Sequence, residues 1–192
     1  YGEDMGILAG DALLNYAFET ACSAFDMDEA DPRRTGRALQ ILAKKAGIYG
    51  MIGGQVVDVK ESGHQIGGDV LDFIYRLKTG ALIESSVMIG AVLAGASESE
   101  VHTMEQIAAK TGMAFQIQDD ILDVTGSAEV LGKPVHSDEK NEKTTYVTWK
   151  GIEESGQEVA RLTDEAVAGL KSLGKNDKFL EELLRWLVYR EK

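Results

Sequence analysis

The chain has 192 residues, of which 20 are basic and 32 acidic, so its net charge is −12. That length is enough for one domain with a substantial core, and the acidic balance argues against nucleic acid or an anionic membrane surface as a partner. The single cysteine, Cys22, excludes an internal disulfide framework and suits a reducing cytoplasm, and no apolar run reaches the roughly 18 residues of a membrane span. Because the sequence begins with Tyr1 and not with Met, we expect it to be the remainder of a longer protein.

The periodicity of the apolar residues predicts an all-α fold. Only Pro32 and Pro134 interrupt long helical stretches, and no convincing run of alternating strand residues appears. Helices are expected around residues 7–25, 39–56, 69–81, 98–125, 152–173 and 179–187. Residues 144–149 have a strand-like composition, but a lone strand has nothing to pair with, so a helix is expected there as well.

Each expected helix has a face that we assign to the core. The first carries a stripe of Ile7, Leu14, Phe18, Ala21 and Phe25. The core-facing residues of the second and third are Leu39, Leu42, Ala46, Tyr49, Gly53, Val56, and then Val70, Phe73, Ile74, Leu77 and Ala81. The last helix should bury Phe179, Leu180, Leu183, Leu184 and Leu187. Glycines at 47, 50, 53 and 54 would weaken the second helix, so we expect another backbone or a ligand close to them.

Three aspartates, Asp119, Asp120 and Asp123, are packed into five residues of an otherwise apolar run. In a helix Asp119 and Asp123 share a face, and Asp120 lies about 100° around. Carboxylates about 6 Å apart repel by roughly 3 kcal/mol at an effective dielectric of about 20, so the cluster needs cations. Hard oxygen ligands in a row suit Mg²⁺, which keeps waters and bridges to substrate phosphates. A solvated acidic helix face is the alternative for these residues alone.

Other polar residues interrupt the apolar pattern. Lys78, beside a threonine and a glycine in the expected third helix, could meet an anion inside the bundle or extend to solvent. Lys133 and Lys143 could place positive charge beside the aspartates, although loop lysines are usually only solvated. Gln55 and Asp58 could contact metal-bound water or substrate; a satisfied buried amide and a carboxylate at a helix end are the alternative.

Five motifs stand in order along the chain: GILAGDALL (6–14), GGQVVD (53–58), KTGALI (78–83), FQIQDDILD (115–123) and a final segment, GKP followed by Asp138 and KTTY (132–146). Together they resemble the trans-isoprenyl diphosphate synthases, and most of all the bacterial farnesyl and geranylgeranyl diphosphate synthases. The resemblance runs from the first residue to the last. A single D-D-x-x-D motif would not be specific enough to support it.

The resemblance implies an antiparallel helical bundle around a deep central cavity, of the isoprenoid synthase type, and usually a homodimer. Residues 1–192 would form the C-terminal part of one such domain, here lacking its N-terminal helices. The implied reaction is a head-to-tail condensation, in which an allylic diphosphate ionises and isopentenyl diphosphate attacks the carbocation. The implied cofactor is Mg²⁺, and the implied location is cytoplasmic.

Site residues follow from the same resemblance, motif by motif. Asp119 would be the most direct Mg²⁺ ligand, and Asp120 and Asp123 would bind through water or support it. Lys78 and Lys133 would contact the allylic diphosphate.

Five further positions complete the set that the resemblance implies. Thr79 and Gln116 would face the developing cation, and we count Thr79 with Lys78 and Asp119 as catalytic. Gln55 and Asp58 would line the cavity beside the metal ions, and Lys143 would bind substrate.

Two departures from the family pattern matter. The family's other aspartate-rich motif, with its pair of arginines, precedes the GDALL segment, and these 192 residues do not contain it, so we expect the chain alone to be inactive or nearly so. The acidic segment 26–34 imitates that motif but follows GDALL, and Pro32 suggests a solvated loop there. His136 stands where the family commonly has glycine.

Two other function classes are considered. A non-catalytic subunit of a heteromeric prenyltransferase would not need to keep the aspartates and the motif lysines. A class I terpene cyclase has the same general fold, but the segments at 53–58 and 78–80 favour the enzymes that condense two diphosphates.

Overall fold

The computed structural model describes residues 1–126, 143–175 and 178–189, and it confirms the all-α class. These residues form α1 (Glu3–Cys22), α2 (Pro32–Ala46), α3 (Met51–Lys60), α4 (Gly68–Tyr75), α5 (Ala81–Leu93), α6 (Glu98–Thr125), α7 (Tyr146–Lys150), α8 (Ile152–Ser172) and α9 (Lys178–Val188). A 3₁₀ turn (Ser23–Asp26) follows α1, and a π-helical turn (Arg76–Gly80) joins α4 to α5. Within the described ranges no helix combines the length and the apolar character needed to cross a bilayer.

The long helix α6 organises the bundle, packing along α8 on one side and α5 on another. It begins with a capping box, in which the Glu100 carboxylate accepts from the Ser97 backbone N–H at 2.7 Å and the Ser97 hydroxyl accepts from the Glu100 N–H at 3.3 Å. Its inner face supplies Ile117, which is fully buried, to a core that also includes Leu71 of α4 and Val159 of α8. The predicted bounds of α6 are confirmed, and those of α8 differ by one residue.

The prediction of a single helix over residues 39–56 is wrong in two respects. This part of the chain forms two helices, α2 and α3, and α2 begins earlier than predicted, at Pro32. Asp31 caps α2 by accepting hydrogen bonds from the backbone N–H groups of Arg33 and Arg34, at 2.9 and 3.3 Å. Pro32 therefore occupies the first turn, where its fixed φ favours a helix, and does not prolong the loop. The helix then breaks between Ala46 and Met51, where a Cβ on Gly50 would overlap the Lys45 carbonyl.

Several predicted core positions are exposed. No residue of α1 is buried, and Ile7 on its apolar stripe is 68% exposed, because the main packing of α1 among the described residues is against the 3₁₀ turn and α2. Phe73, Phe179 and Tyr49 are likewise exposed, at 40%, 69% and 76%. The predicted core residues Ile74 of α4 and Leu184 of α9 are buried, and Leu71 and Val188, which we did not predict, are buried on the same two helices.

Three glycines bring α3, the π-helical turn and α6 close together. A Cβ on Gly54 would overlap the backbone nitrogen of Lys78, and a Cβ on Gly112 would lie 3.0 Å from the Cα of Gly80. The expectation that a backbone approaches the glycine-rich helix is confirmed at Gly54. The expected third helix, 69–81, is interrupted at its end, because the π-helical turn spans Lys78.

Candidate active site

A cavity of about 180 Å³ lies where α3, the π-helical turn and α6 converge with the chain just before α7. Six of the polar residues singled out in the sequence line it: Asp58, Lys78, Gln116, Asp119, Asp120 and Lys143. These residues come from four separate motifs, up to 85 positions apart. The fold therefore gathers most of the predicted site around one space.

The three aspartates occupy different environments. Asp119 and Asp120 line the cavity, where Asp119 is half-buried and Asp120 is 8% exposed. Asp120 Oδ2 accepts hydrogen bonds from the Tyr75 hydroxyl at 2.6 Å and from the Tyr146 backbone N–H at 2.8 Å. Asp123, one turn farther along α6, is 4% exposed and is not part of the cavity lining. The cavity is thus lined by the adjacent carboxylates of Asp119 and Asp120, and not by Asp119 together with Asp123.

Asp58 holds two lysines that line the cavity. Its Oδ2 accepts from Lys78 Nζ at 2.6 Å, and its Oδ1 lies 3.5 Å from Lys143 Nζ. Burial opposes the charged form of Asp58, but the hydrogen bond from Lys78 and the charges of both lysines outweigh it, so the pKa of Asp58 lies below its usual value. Each lysine side chain keeps about a third of its surface exposed (34% and 33%). Both ammonium groups are therefore positioned and still accessible to an anion.

The other predicted site residues are less uniformly placed. Thr79 Oγ1 donates to Gln116 Oε1 at 3.2 Å, which joins the two residues predicted to face a cation. Gln55 is exposed on α3, outside the cavity lining, although we predicted it there beside Asp58. Residue 55 points away because Gly54, its neighbour, is the residue that faces the π-helical turn. Lys133 and His136 lie outside the described residues.

Two cavity features were not predicted. Tyr75, on α4, was missed, although a tyrosine in an apolar run signals a buried hydroxyl that needs a partner. Thr144 belongs to the fifth motif but was assigned no role. Its hydroxyl accepts from the Ile66 backbone N–H at 3.2 Å and ties the chain before α7 to the loop after α3. These contacts close one wall of the cavity.

The acidic segment 26–34, which imitates the aspartate-rich motif missing from these 192 residues, has a structural role. Besides capping α2 through Asp31, it places Arg34 so that Nη1 donates to the Leu93 carbonyl at 3.3 Å. Within the described ranges, no group of three or more Asp, Glu, His or Cys side chains, in this segment or elsewhere, is arranged so that it could hold a metal ion.

The donor set around the cavity fits Mg²⁺ bound together with a phosphate ester. Mg²⁺ retains several waters and is usually held by one or two carboxylates plus substrate phosphates, not by an all-protein cage. Asp119 and Asp120 offer two carboxylates, and Lys78 and Lys143 line the same cavity, so ammonium groups are available for phosphate oxygens. The carboxylates can thus take part of the metal's coordination and leave the rest to substrate and water.

A family model described as polyprenyl synthetase matches residues 1–183. The chain belongs to the polyprenyl synthetase family. The resemblance to the trans-isoprenyl diphosphate synthases, read from five motifs, is confirmed.

This polyprenyl synthetase chain has relatives in plants and bacteria. Over its whole length it is 40% identical to the chloroplastic heterodimeric geranylgeranyl pyrophosphate synthase large subunit 1 of Arabidopsis thaliana, covering 53% of that protein. It is 38% identical to the farnesyl diphosphate synthase of Escherichia coli (strain K12), covering 65% of it. The geranyltransferase of Helicobacter pylori, solved with magnesium and isoprenyl diphosphate, matches 98% of this chain at 31% identity with a TM-score of 0.80, over 60% of its own length. The polyprenyl synthetase chain thus spans between about half and two thirds of these proteins.

Proposed function

We propose that the whole protein is a Mg²⁺-dependent prenyltransferase that condenses isopentenyl diphosphate with an allylic diphosphate. The observation that supports this most is the meeting of two carboxylates, Asp119 and Asp120, with two lysines, Lys78 and Lys143, around one cavity. Lysines alone would suit many anions, and carboxylates alone would suit many cations. Both together suit an anionic substrate that arrives with a divalent cation.

The chain's residues would divide the binding of the allylic diphosphate between them. Lys78 and Lys143, held by Asp58, would contact the phosphate oxygens, and Lys133 would join them. Asp119 would hold Mg²⁺ most directly, with Asp120 and Asp123 binding through water or in support. When bound, Mg²⁺ offsets the negative charge that grows on the leaving diphosphate.

The condensation would then need positioning and exclusion of water more than a nucleophilic side chain. The carbon–oxygen bond of the allylic diphosphate breaks, and the double bond of isopentenyl diphosphate supplies the electrons of the new carbon–carbon bond. The Thr79 and Gln116 side chains, hydrogen-bonded to each other, would present oxygen dipoles to the allylic cation. Buried apolar residues of the cavity wall, Leu71 and Ile74, would keep water from it. The released diphosphate would take the final proton.

A subunit of a heteromeric prenyltransferase is a second candidate, because one relative is named as the large subunit of a heterodimeric synthase. The cavity keeps its carboxylates and lysines, which favours a catalytic chain over a non-catalytic one. For its assembly we propose a homodimer. The molar mass in solution, measured by light scattering on the purified protein, distinguishes a self-sufficient dimer from a chain that needs a different partner.

The test is incubation of the full-length protein with dimethylallyl and isopentenyl diphosphates, with and without Mg²⁺. We expect chain-extended prenyl diphosphates only when Mg²⁺ is present, and absence of extension in both conditions would contradict the proposal. Cyclic hydrocarbons as products would favour a terpene cyclase. The same assay on residues 1–192 tests our expectation that this stretch, with one aspartate-rich motif, condenses little.

A further inference from the structure

The Tyr75 hydroxyl donates a hydrogen bond to an oxygen of the candidate metal site. Tyr75 lies on α4, three residues before Lys78, and is 8% exposed. Its hydroxyl donates to Asp120 Oδ2 at 2.6 Å, across 45 positions of sequence. An O–H···O⁻ bond of this length is typical of a hydrogen bond strengthened by the charge of the acceptor.

A second donor reaches the same oxygen from another element. The Tyr146 backbone N–H, at the start of α7, donates to Asp120 Oδ2 at 2.8 Å. Rotation about the last side-chain bond of an aspartate is otherwise broad. With one donor from α4 and one from α7, the plane of the Asp120 carboxylate is held relative to the cavity.

We propose that Tyr75 is a positioning residue whose hydroxyl fixes the Asp120 carboxylate in the orientation that binds a divalent cation together with diphosphate. The inference rests on the proposed function, because it assigns Asp120 to the metal site. Partners that orient metal-binding carboxylates typically contribute 10- to 100-fold to metal affinity or activity. The Tyr75 hydroxyl can be removed by a side-chain substitution, whereas the Tyr146 backbone N–H cannot.

The substitution Tyr75→Phe removes that hydroxyl and keeps the ring, which packs among the core residues of α4 and α6. A matched control is Thr163→Val, which removes a buried hydroxyl of α8 that donates to the Val159 carbonyl at 2.7 Å, away from the cavity lining. Each variant loses a hydroxyl that donates an internal hydrogen bond. They differ in whether the lost donor serves Asp120.

The experiment measures Mn²⁺ binding to the full-length protein in the presence of inorganic diphosphate, by the electron paramagnetic resonance signal of free Mn²⁺. We expect Tyr75→Phe to bind Mn²⁺ about tenfold or more weakly, and Thr163→Val to bind as the wild type does. In an Asp120→Asn background, adding Tyr75→Phe should change the affinity no further, because the hydroxyl acts through that carboxylate. In the condensation assay, saturating Mg²⁺ should restore the turnover of Tyr75→Phe.

Each other outcome overturns the inference. Wild-type Mn²⁺ affinity in Tyr75→Phe would reject the role of Tyr75 and leave the proposed function standing, provided that the wild type extends prenyl chains. Absence of Mn²⁺ binding in the wild type would reject both. Loss of helical circular dichroism in Tyr75→Phe, but not in Thr163→Val, would assign the hydroxyl to fold stability and not to positioning.

Discussion

Lys78 Nζ donates a hydrogen bond of 2.6 Å to Asp58 Oδ2, across the narrow gap between the π-helical turn and α3. The same carboxylate faces Lys143 at 3.5 Å. The carboxylate of Asp58 therefore sets the position of two lysines, Lys78 from the third sequence motif and Lys143 from the fifth. The Lys78–Asp58 hydrogen bond thus links the packing of the π-helical turn on α3 to the diphosphate binding that we propose for the cavity.

The first prediction concerns the stability that Asp58 contributes at acidic pH. Burial is outweighed by the two lysines, so the pKa of Asp58 is lower in the folded chain than its usual value of about 3.9. A carboxyl group shifted in this direction adds stability that is present above its unfolded pKa and is lost as the pH falls through the folded pKa. Urea unfolding at acidic pH should therefore show a steeper loss of stability in the wild type than in Asp58→Asn.

The control for this prediction is Asp164→Asn, which removes a carboxylate that is 73% exposed and lies 3.5 Å from Arg185. It should follow the pH dependence of the wild type. If Asp58→Asn loses stability on acidification as steeply as the wild type, the Lys78–Asp58 pair does not stabilise the fold.

The second prediction concerns Asp119, the half-buried carboxylate of the cavity. In the full-length protein, Asp119→Ala should lower turnover by roughly two orders of magnitude or more, because stabilisation of the charge on the leaving group is lost. The measurement is the steady-state rate of prenyl chain extension at saturating Mg²⁺, with Asp164→Ala as the matched control. A rate within a few fold of the wild type would remove Asp119 from the set of direct metal ligands.

The third prediction concerns the glycine contact that positions Lys78. A Cβ on Gly54 would overlap the backbone nitrogen of Lys78 and lie 2.8 Å from Cβ of Leu77, so Gly54→Ala must push α3 away from the π-helical turn. We expect a loss of about 1–3 kcal/mol in the free energy of unfolding, as for other overpacked sites. Gly156→Ala, on α8 with open space around it, should instead stabilise by up to about 1 kcal/mol. Equal effects of the two changes in urea unfolding would contradict the close approach.

The sequence was most informative where the signals are local. The bounds of α6 follow from the Ser97–Glu100 capping box and from Gly126 after the last turn, and all of these signals lie within a few residues of the helix ends. Contacts between residues far apart in the sequence could not be predicted from such local signals. The partner of Tyr75 is 45 positions away, and no periodicity encodes such a contact.

Two errors in the predicted fold have physical causes that the sequence pattern does not carry. Apolar spacing placed residues 39–56 on one helix, but periodicity continues across a short break and did not reveal that Gly50 leaves no room for a side chain beside Lys45. The stripe on α1 is correctly amphipathic, yet burial depends on a neighbouring surface, and the described residues provide little for it. The apolar pattern predicts which face of a helix can be buried, but it does not predict whether a neighbouring element covers that face.

The fourth prediction concerns a buried charge cluster apart from the cavity. Lys45 Nζ bonds to Glu84 and, at 2.7 Å, to Glu105; the side chains of Lys45 and Glu84 are 15% and 8% exposed. Replacing Lys45 by Met removes the ammonium group that Glu84 and Glu105 share, and breaking such a buried group typically costs about 3–5 kcal/mol. The free energy of unfolding should fall by about that amount, whereas Lys44→Met, at an exposed position, should change it little.

Adding Glu84→Gln to Lys45→Met should recover part of that loss, because one of the two uncompensated charges is removed. No recovery in the double variant would indicate that the Lys45 side chain acts through packing and not through its charge.

The last prediction uses Tyr146, whose ring lies between α4 and α8 while its backbone serves Asp120. Burial, with the negative charges of Asp72 and Glu158 beside it, raises the pKa of Tyr146 to about 12. A group with a raised folded pKa contributes stability that is fully present below its unfolded pKa, about 10, and is lost as the pH rises through the folded value. The free energy of unfolding should therefore fall between about pH 10 and about pH 12 more steeply in the wild type than in Tyr146→Phe. Tyr49→Phe, at a position 76% exposed, should keep the wild-type slope, and equal slopes in all three proteins would show that the buried phenol does not ionise on unfolding.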